Sequence, residues 1–162
     1  MAELRYDNLI QTLEGYGKDV AERYSAKLSA AGKDATGTLS RTIRSFVLTH
    51  DDAIAVYLEL QHYWEYLERG TRMQGPWKKQ GRRPPLAPFV SWVRAKGIPL
   101  RGKKIEAVAW AVATKVWKEG TRPYWFLRDT LAEFPDINER AAEAVKKDIE
   151  IYIQEIIQEA RL

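Results

Sequence analysis

The chain has 162 residues, about the size of one domain, and its 45% hydrophobic and 30% charged content is that of a globular protein rather than a disordered one. It has no cysteine, which excludes a disulfide framework, thiol catalysis and a cysteine-ligated zinc site; no apolar run approaches the roughly 18 residues that span a bilayer, and no basic start with an apolar block reads as a signal peptide. The net charge of +4 is unevenly spread, because residues 71–104 carry ten Lys and Arg with no Asp or Glu, while residues 51–70 carry a net −4.

Apolar residues from Tyr6 through Leu9, Leu13, Tyr16, Val20, Tyr24 and Leu28 recur every three or four positions. This is the helical period, and it predicts a long helix over 4–31 with Gly32 as its C-cap. Gly15 and Gly17 inside it weaken the helix and mark either a bend or a place where another chain packs closely. A short second helix follows, capped by Thr36 or Thr38 and carrying Leu39 and Ile43. The period then changes to two: Phe46 and Leu48, then Ile54, Val56, Leu58 and Leu60, on either side of His50-Asp51-Asp52. That pattern predicts a β-hairpin at about 45–61 with an acidic turn and one apolar face. Two strands alone are marginal in water, so the hairpin must lie on the helices or join strands of another copy.

After an aromatic cluster at Tyr63, Trp64 and Tyr66 comes the turn pair Gly70-Thr71, and then a basic, Pro- and Gly-rich loop at 71–86. The remainder, 87–160, reads as helical. A short helix ends near Gly97. A longer one through Trp110 and Trp117 is apolar nearly all round and is expected to be the most buried. A Pro-started aromatic turn leads into another short helix. The last helix places Ile137, Ala141, Val145, Ile149, Tyr152, Ile156 and Ala160 on one face. LERGTR at 67–72 and KEGTR at 118–122 form a weak internal echo, too short for a solenoid repeat. The expected fold class is α+β: a single domain over 1–162 with a long N-terminal helix, a hairpin contributing to a small antiparallel sheet, and several C-terminal helices packed on it.

Catalytic signatures are missing. GYGKD is not a phosphate loop, and neither HExxH nor GxSxG occurs. His62 with Glu65 and Glu68 could be written as a hydrolytic or metal cluster, but strand-end histidines beside surface carboxylates are commonplace. His50 sits in a turn. The reading is therefore non-enzymatic, with no cofactor and no metal. The basic loop is another matter. Arg72, Trp77, Lys78, Lys79, Arg82 and Arg83 mix cations with an aromatic, the combination that meets phosphate backbones and stacks on bases without reading sequence. The plainer reading is a solvated loop, or one that meets an acidic neighbour. Of the six tryptophans, Trp110 and Trp117 share a helix face and read as core, while Trp64, Trp77 and Trp125 beside Gly, Pro and Arg read as interface residues.

Taken in order, these pieces resemble a family. ATGTLSRTIRS is similar to a P-x-DTG-x-L-x-x-S-I stretch, although the TG here follows Ala35. HYWEYLERGTR is similar to a YA-x-x-x-E-x-GT element through Tyr63, Tyr66, Glu68, Gly70 and Thr71. PPLAPFVSWVRAKGI and AWAVATKVWKEGTRPYWFLRDTLAE resemble two later segments, the second carrying Gly120, Thr121, Trp125 and Phe126. The family is that of tailed-bacteriophage neck proteins, the head–tail joining or tail-completion proteins of the minor tail protein Z type in lambda-like phages, and the resemblance covers about residues 20–160. It implies a structural protein made in the bacterial host cytoplasm and built into the virion neck. Copies would form a ring, commonly of six, joining the portal-side connector to the tail-tube proteins around the DNA channel, with no membrane involved. The two GT elements and their aromatics would serve as turn and interface elements. The basic loop would contact passing DNA or an acidic partner. The alternative is a stand-alone, non-specific nucleic-acid-binding protein using residues 72–104.

Overall fold

The computed structural model describes residues 3–33, 37–61, 64–71 and 84–161. Among them the fold is α+β, with seven helices and one two-stranded antiparallel sheet: α1 (Asp7–Ala30), α2 (Thr38–Thr42), β1 (Arg44–Thr49), β2 (Ile54–Glu59), α3 (Trp64–Arg69), α4 (Leu86–Ala95), α5 (Ile105–Glu119), α6 (Phe126–Leu131) and α7 (Ile137–Glu159). The chain divides into two compact units, each assembled from separate stretches. One comprises Met1–Tyr24, Ile43–Glu59 and Asp129–Leu162; the other comprises Ser25–Thr42 and Leu60–Arg128.

In the first unit, the long helix meets the hairpin at Gly17. A Cβ there would stand 3.0 Å from the Ser45 Cβ and from the Val56 Cγ1, so glycine permits a close crossing. The close neighbour at that position is the chain's own hairpin, not the second chain for which the sequence left room. The hairpin register pairs Phe46 with Tyr57, Val47 with Val56 and Leu48 with Ala55. The expectation of one apolar face is therefore wrong. Four residues, 50–53, separate the paired Thr49 and Ile54, and an even-numbered loop sets even positions of β1 beside odd positions of β2. Phe46 and Leu48 consequently share a face with Tyr57, and this face is exposed, while Val47, Ile54, Val56 and Leu58 lie half-buried on the other. Phe46 and Tyr57 stack with ring centroids 5.6 Å apart.

Helix α7 departs from expectation in the same way. Its buried line runs through Ala144 and Asp148, flanked by half-buried Ala141, Val145 and Tyr152, whereas Ile149, Ile156 and Ala160 are exposed. A stripe drawn at intervals of four drifts about 40° per step around a helix of 3.6 residues per turn, so the predicted face winds off the true one. Asp148 is 3% exposed. Its carboxylate accepts hydrogen bonds from the Asn8 amide (2.9 Å), the Leu9 amide (3.0 Å) and the Asn8 Nδ2 (2.7 Å), and so satisfies donors left open at the start of α1. Burial alone would raise this carboxyl group, but the three hydrogen bonds outweigh it and hold it below its ordinary value. Tyr16 and Phe134 meet edge to face at 5.7 Å.

In the second unit, the α1 end closes as predicted around Gly32, with the Lys33 amide on the Leu28 carbonyl, and α4 closes the same way around Gly97, with the Ile98 amide on the Val93 carbonyl. The Lys96 ammonium donates to the Gly32 carbonyl. Helices α4 and α5 pack together, but α5 is not the most buried element. Only Ala109 and Ala113 are buried in it, and Trp110 is 50% exposed. An all-round apolar sequence can dock through its smallest residues, because alanine lets helix axes approach most closely. The core reading of Trp110 is corrected accordingly.

Candidate interaction sites

The second unit holds both GT elements, and it joins them. Gly120 closes α5 with its amide on the Val116 carbonyl, and Gly70 follows α3 with φ +67°. From these two turns the threonines face each other. The Thr71 amide donates to the Thr121 carbonyl (3.2 Å) and to Thr121 Oγ1 (3.1 Å), while the Thr121 amide donates to Thr71 Oγ1 (2.8 Å). The hydroxyl oxygens stand 3.3 Å apart. The echo in the sequence is thus a contact, in which each threonine hydroxyl accepts the other's amide. Gly70 is required twice over: its φ suits glycine, and a Cβ would fall 2.3 Å from the Thr121 carbonyl oxygen and 2.8 Å from the Pro123 nitrogen.

The clasp extends along both strands of loop. The Tyr124 amide donates to the Leu67 carbonyl (2.9 Å). Glu68, 4% exposed, accepts the Leu127 amide on Oε1 (2.8 Å) and so caps the start of α6. Trp125 between them has φ +54°, a left-handed conformation that costs a side-chain-bearing residue about 1–2 kcal/mol. This twist leaves Tyr124 and Phe126 stacked on each other at 5.3 Å, with Lys33 over the Tyr124 ring at 4.2 Å. Trp125 itself is exposed, with the Arg128 guanidinium 4.8 Å from its ring. Tyr66 is exposed on α3.

The first unit offers a different surface: the outward hairpin face with Phe46, Leu48 and Tyr57, and His50 Nε2 3.3 Å from the Tyr57 hydroxyl. The sequence reading missed it because it assigned Phe46 and Leu48 to the same side as Val56. It also missed Asp148, whose only signal was a carboxylate interrupting an apolar stripe. Tyr63, His62, Arg72, Trp77, Lys78, Lys79, Arg82 and Arg83 lie outside the described residues, and with them nearly all of the basic loop at 71–86. Among the described residues no cluster of three or more His, Cys, Asp or Glu could hold a metal ion, and no helix is long and apolar enough to cross a membrane. Compared with known protein families, curated proteins and solved structures, the chain matches none.

Proposed function

We propose that this chain is a non-enzymatic structural protein of the tailed-phage neck, a component of a ring between the portal side of the capsid and the tail tube. The observation that carries the reading is the pairing of the two GT elements. They stand fifty residues apart in the order that the resemblance gives, and their reciprocal hydrogen bonds join them into one loop pair with Trp125 on its surface. Exposed aromatics beside arginine are what interface centres use. Partners under this reading are further copies of the chain, the portal-side connector and the tail-tube proteins.

Particle mass by light scattering, with negative-stain images of the same concentrated sample, tests it. A closed ring is expected, alone or on a portal or tail template. A chain that assembles on neither would overturn the reading. Gly70→Val should abolish the ring and leave the helical circular-dichroism signal nearly unchanged; a normal ring from that variant would count against the clasp as an assembly element.

A second reading, non-specific nucleic-acid binding, is favoured by one specific feature. The ten cations of residues 71–104 are accompanied by no carboxylate, and Arg94, Arg101, Lys103 and Lys104 are exposed. Under this reading a free monomer or dimer binds duplex DNA tightly, with affinity that falls steeply as salt rises. In a neck ring the same cations would touch passing DNA only weakly enough for it to slide.

A further inference from the structure

We infer that strand β1 pairs across its open edge with β1 of a second copy, antiparallel, about a two-fold axis at Val47. The His50 amide donates to the Ala53 carbonyl at 2.7 Å, which makes 50 and 53 a hydrogen-bonded pair. Pairs alternate along an antiparallel ladder, so in this register Leu48, Phe46 and Arg44 turn their backbone groups toward β2. Ser45, Val47 and Thr49 turn theirs to the other side, where the sheet has no further strand among the described residues. Beside β1 lies a groove of about 380 Å³ lined by Leu13, Glu14, Gly17 and Lys18 of α1, Ser45, Phe46 and Val47 of β1, and Val56 of β2. An incoming strand finds its backbone partners on this edge.

The strand's own sequence names the occupant. With Val47 on the axis, Ser45 faces Thr49 of the second copy, Phe46 faces Leu48, and Arg44 faces His50, beside the exposed Asp51 and Asp52. Hydroxyl meets hydroxyl, apolar meets apolar, and the cation lies next to two carboxylates. Sliding the register by two residues in either direction sets Arg44 against Leu48 or His50 against Phe46. The outward faces of both hairpins then join into one apolar surface built on Phe46, Leu48 and Tyr57. The contact is isologous and closes on two copies, so it does not rest on the neck reading; a ring would be built through other surfaces.

The chain has no native cysteine, so Phe46→Cys and Leu48→Cys each supply a single thiol. Facing positions of this pair lie about 4.5 Å apart between Cα atoms, within disulfide reach. Mixing the two variants under mild oxidation should give a cross-linked heterodimer at least tenfold faster than either variant alone. Equal rates in the mixture and in the separate samples, or Leu48→Cys linking fastest to itself, would overturn the register. In sedimentation, the double variant Phe46→Glu/Leu48→Glu should be a monomer with unchanged helical signal. Adding Phe46→Lys/Leu48→Lys should restore a dimer. A native chain that stays monomeric at high concentration would sink the proposal, and a ring that forms without the 46–48 cross-link would sink it while leaving the neck reading standing.

Discussion

Glu68 and Asp148 are both buried carboxylates, and each is spent on the backbone amides at the start of a helix. Replacing Glu68 by alanine strands the Leu127 amide and should cost about 1–2 kcal/mol in denaturant unfolding, with Glu68→Gln recovering part of it. Asp148→Ala strands two amides and the Asn8 side chain, and roughly 2–3 kcal/mol should be lost. The same residue makes a pH prediction. Its carboxyl group is held below its unfolded value of about 3.9, so its contribution is complete above that pH and is lost as pH falls through the lower, folded value. Between pH 6 and pH 3 the native chain should therefore lose more stability than Asp148→Asn does. A parallel slope for both would show that the hydrogen bonds do not act through ionisation. Gly70→Ala, which meets both a left-handed φ and a carbonyl oxygen, should destabilise by about 2 kcal/mol or more.

At the scale of elements, helix periods and helix ends were legible. Gly32 and Gly97 close α1 and α4 where the sequence puts them, and the hairpin occupies Arg44–Glu59 against an expected 45–61. What local pattern could not carry was relative parity. Both strands alternate, but which alternate sets share a face depends on whether the loop has an odd or even number of residues. The four-residue connection at 50–53 answers that only once its ends are known. This yields a test. Val56→Asn puts an amide on the half-buried side facing α1 and should cost about 1–2 kcal/mol in thermal melts, whereas Leu48→Asn, on the exposed face, should cost roughly half as much; the reverse order would refute the assignment of faces. The face of α7 failed for a related reason, a four-residue spacing carried too far.

For the whole molecule, the sequence carried composition and fold class, along with the order of pieces on which the family resemblance rests. It could not show that the two GT motifs touch, because a contact between Thr71 and Thr121 depends on α4 and α5 folding back between them. Nor could it reveal a cap supplied from 140 residues away. The charge asymmetry was plain from the start and bears on function at this scale. If the basic loop lines a channel, neutral substitutions at Lys78, Lys79, Arg82 and Arg83 should reduce DNA retention in assembled particles while free-chain stability stays within about 0.5 kcal/mol. Particles that retain DNA normally would remove the loop from the channel.

The bond between Asp148 and Asn8 also sets a timetable. A nascent chain leaves the ribosome at about 5–20 residues per second, so the first turn of α1 waits on the order of ten seconds for the carboxylate that completes it. The second unit needs nothing beyond Arg128, and its threonine clasp spans only fifty residues of sequence. The inner stretch of the chain can therefore finish while the outer one is still held open.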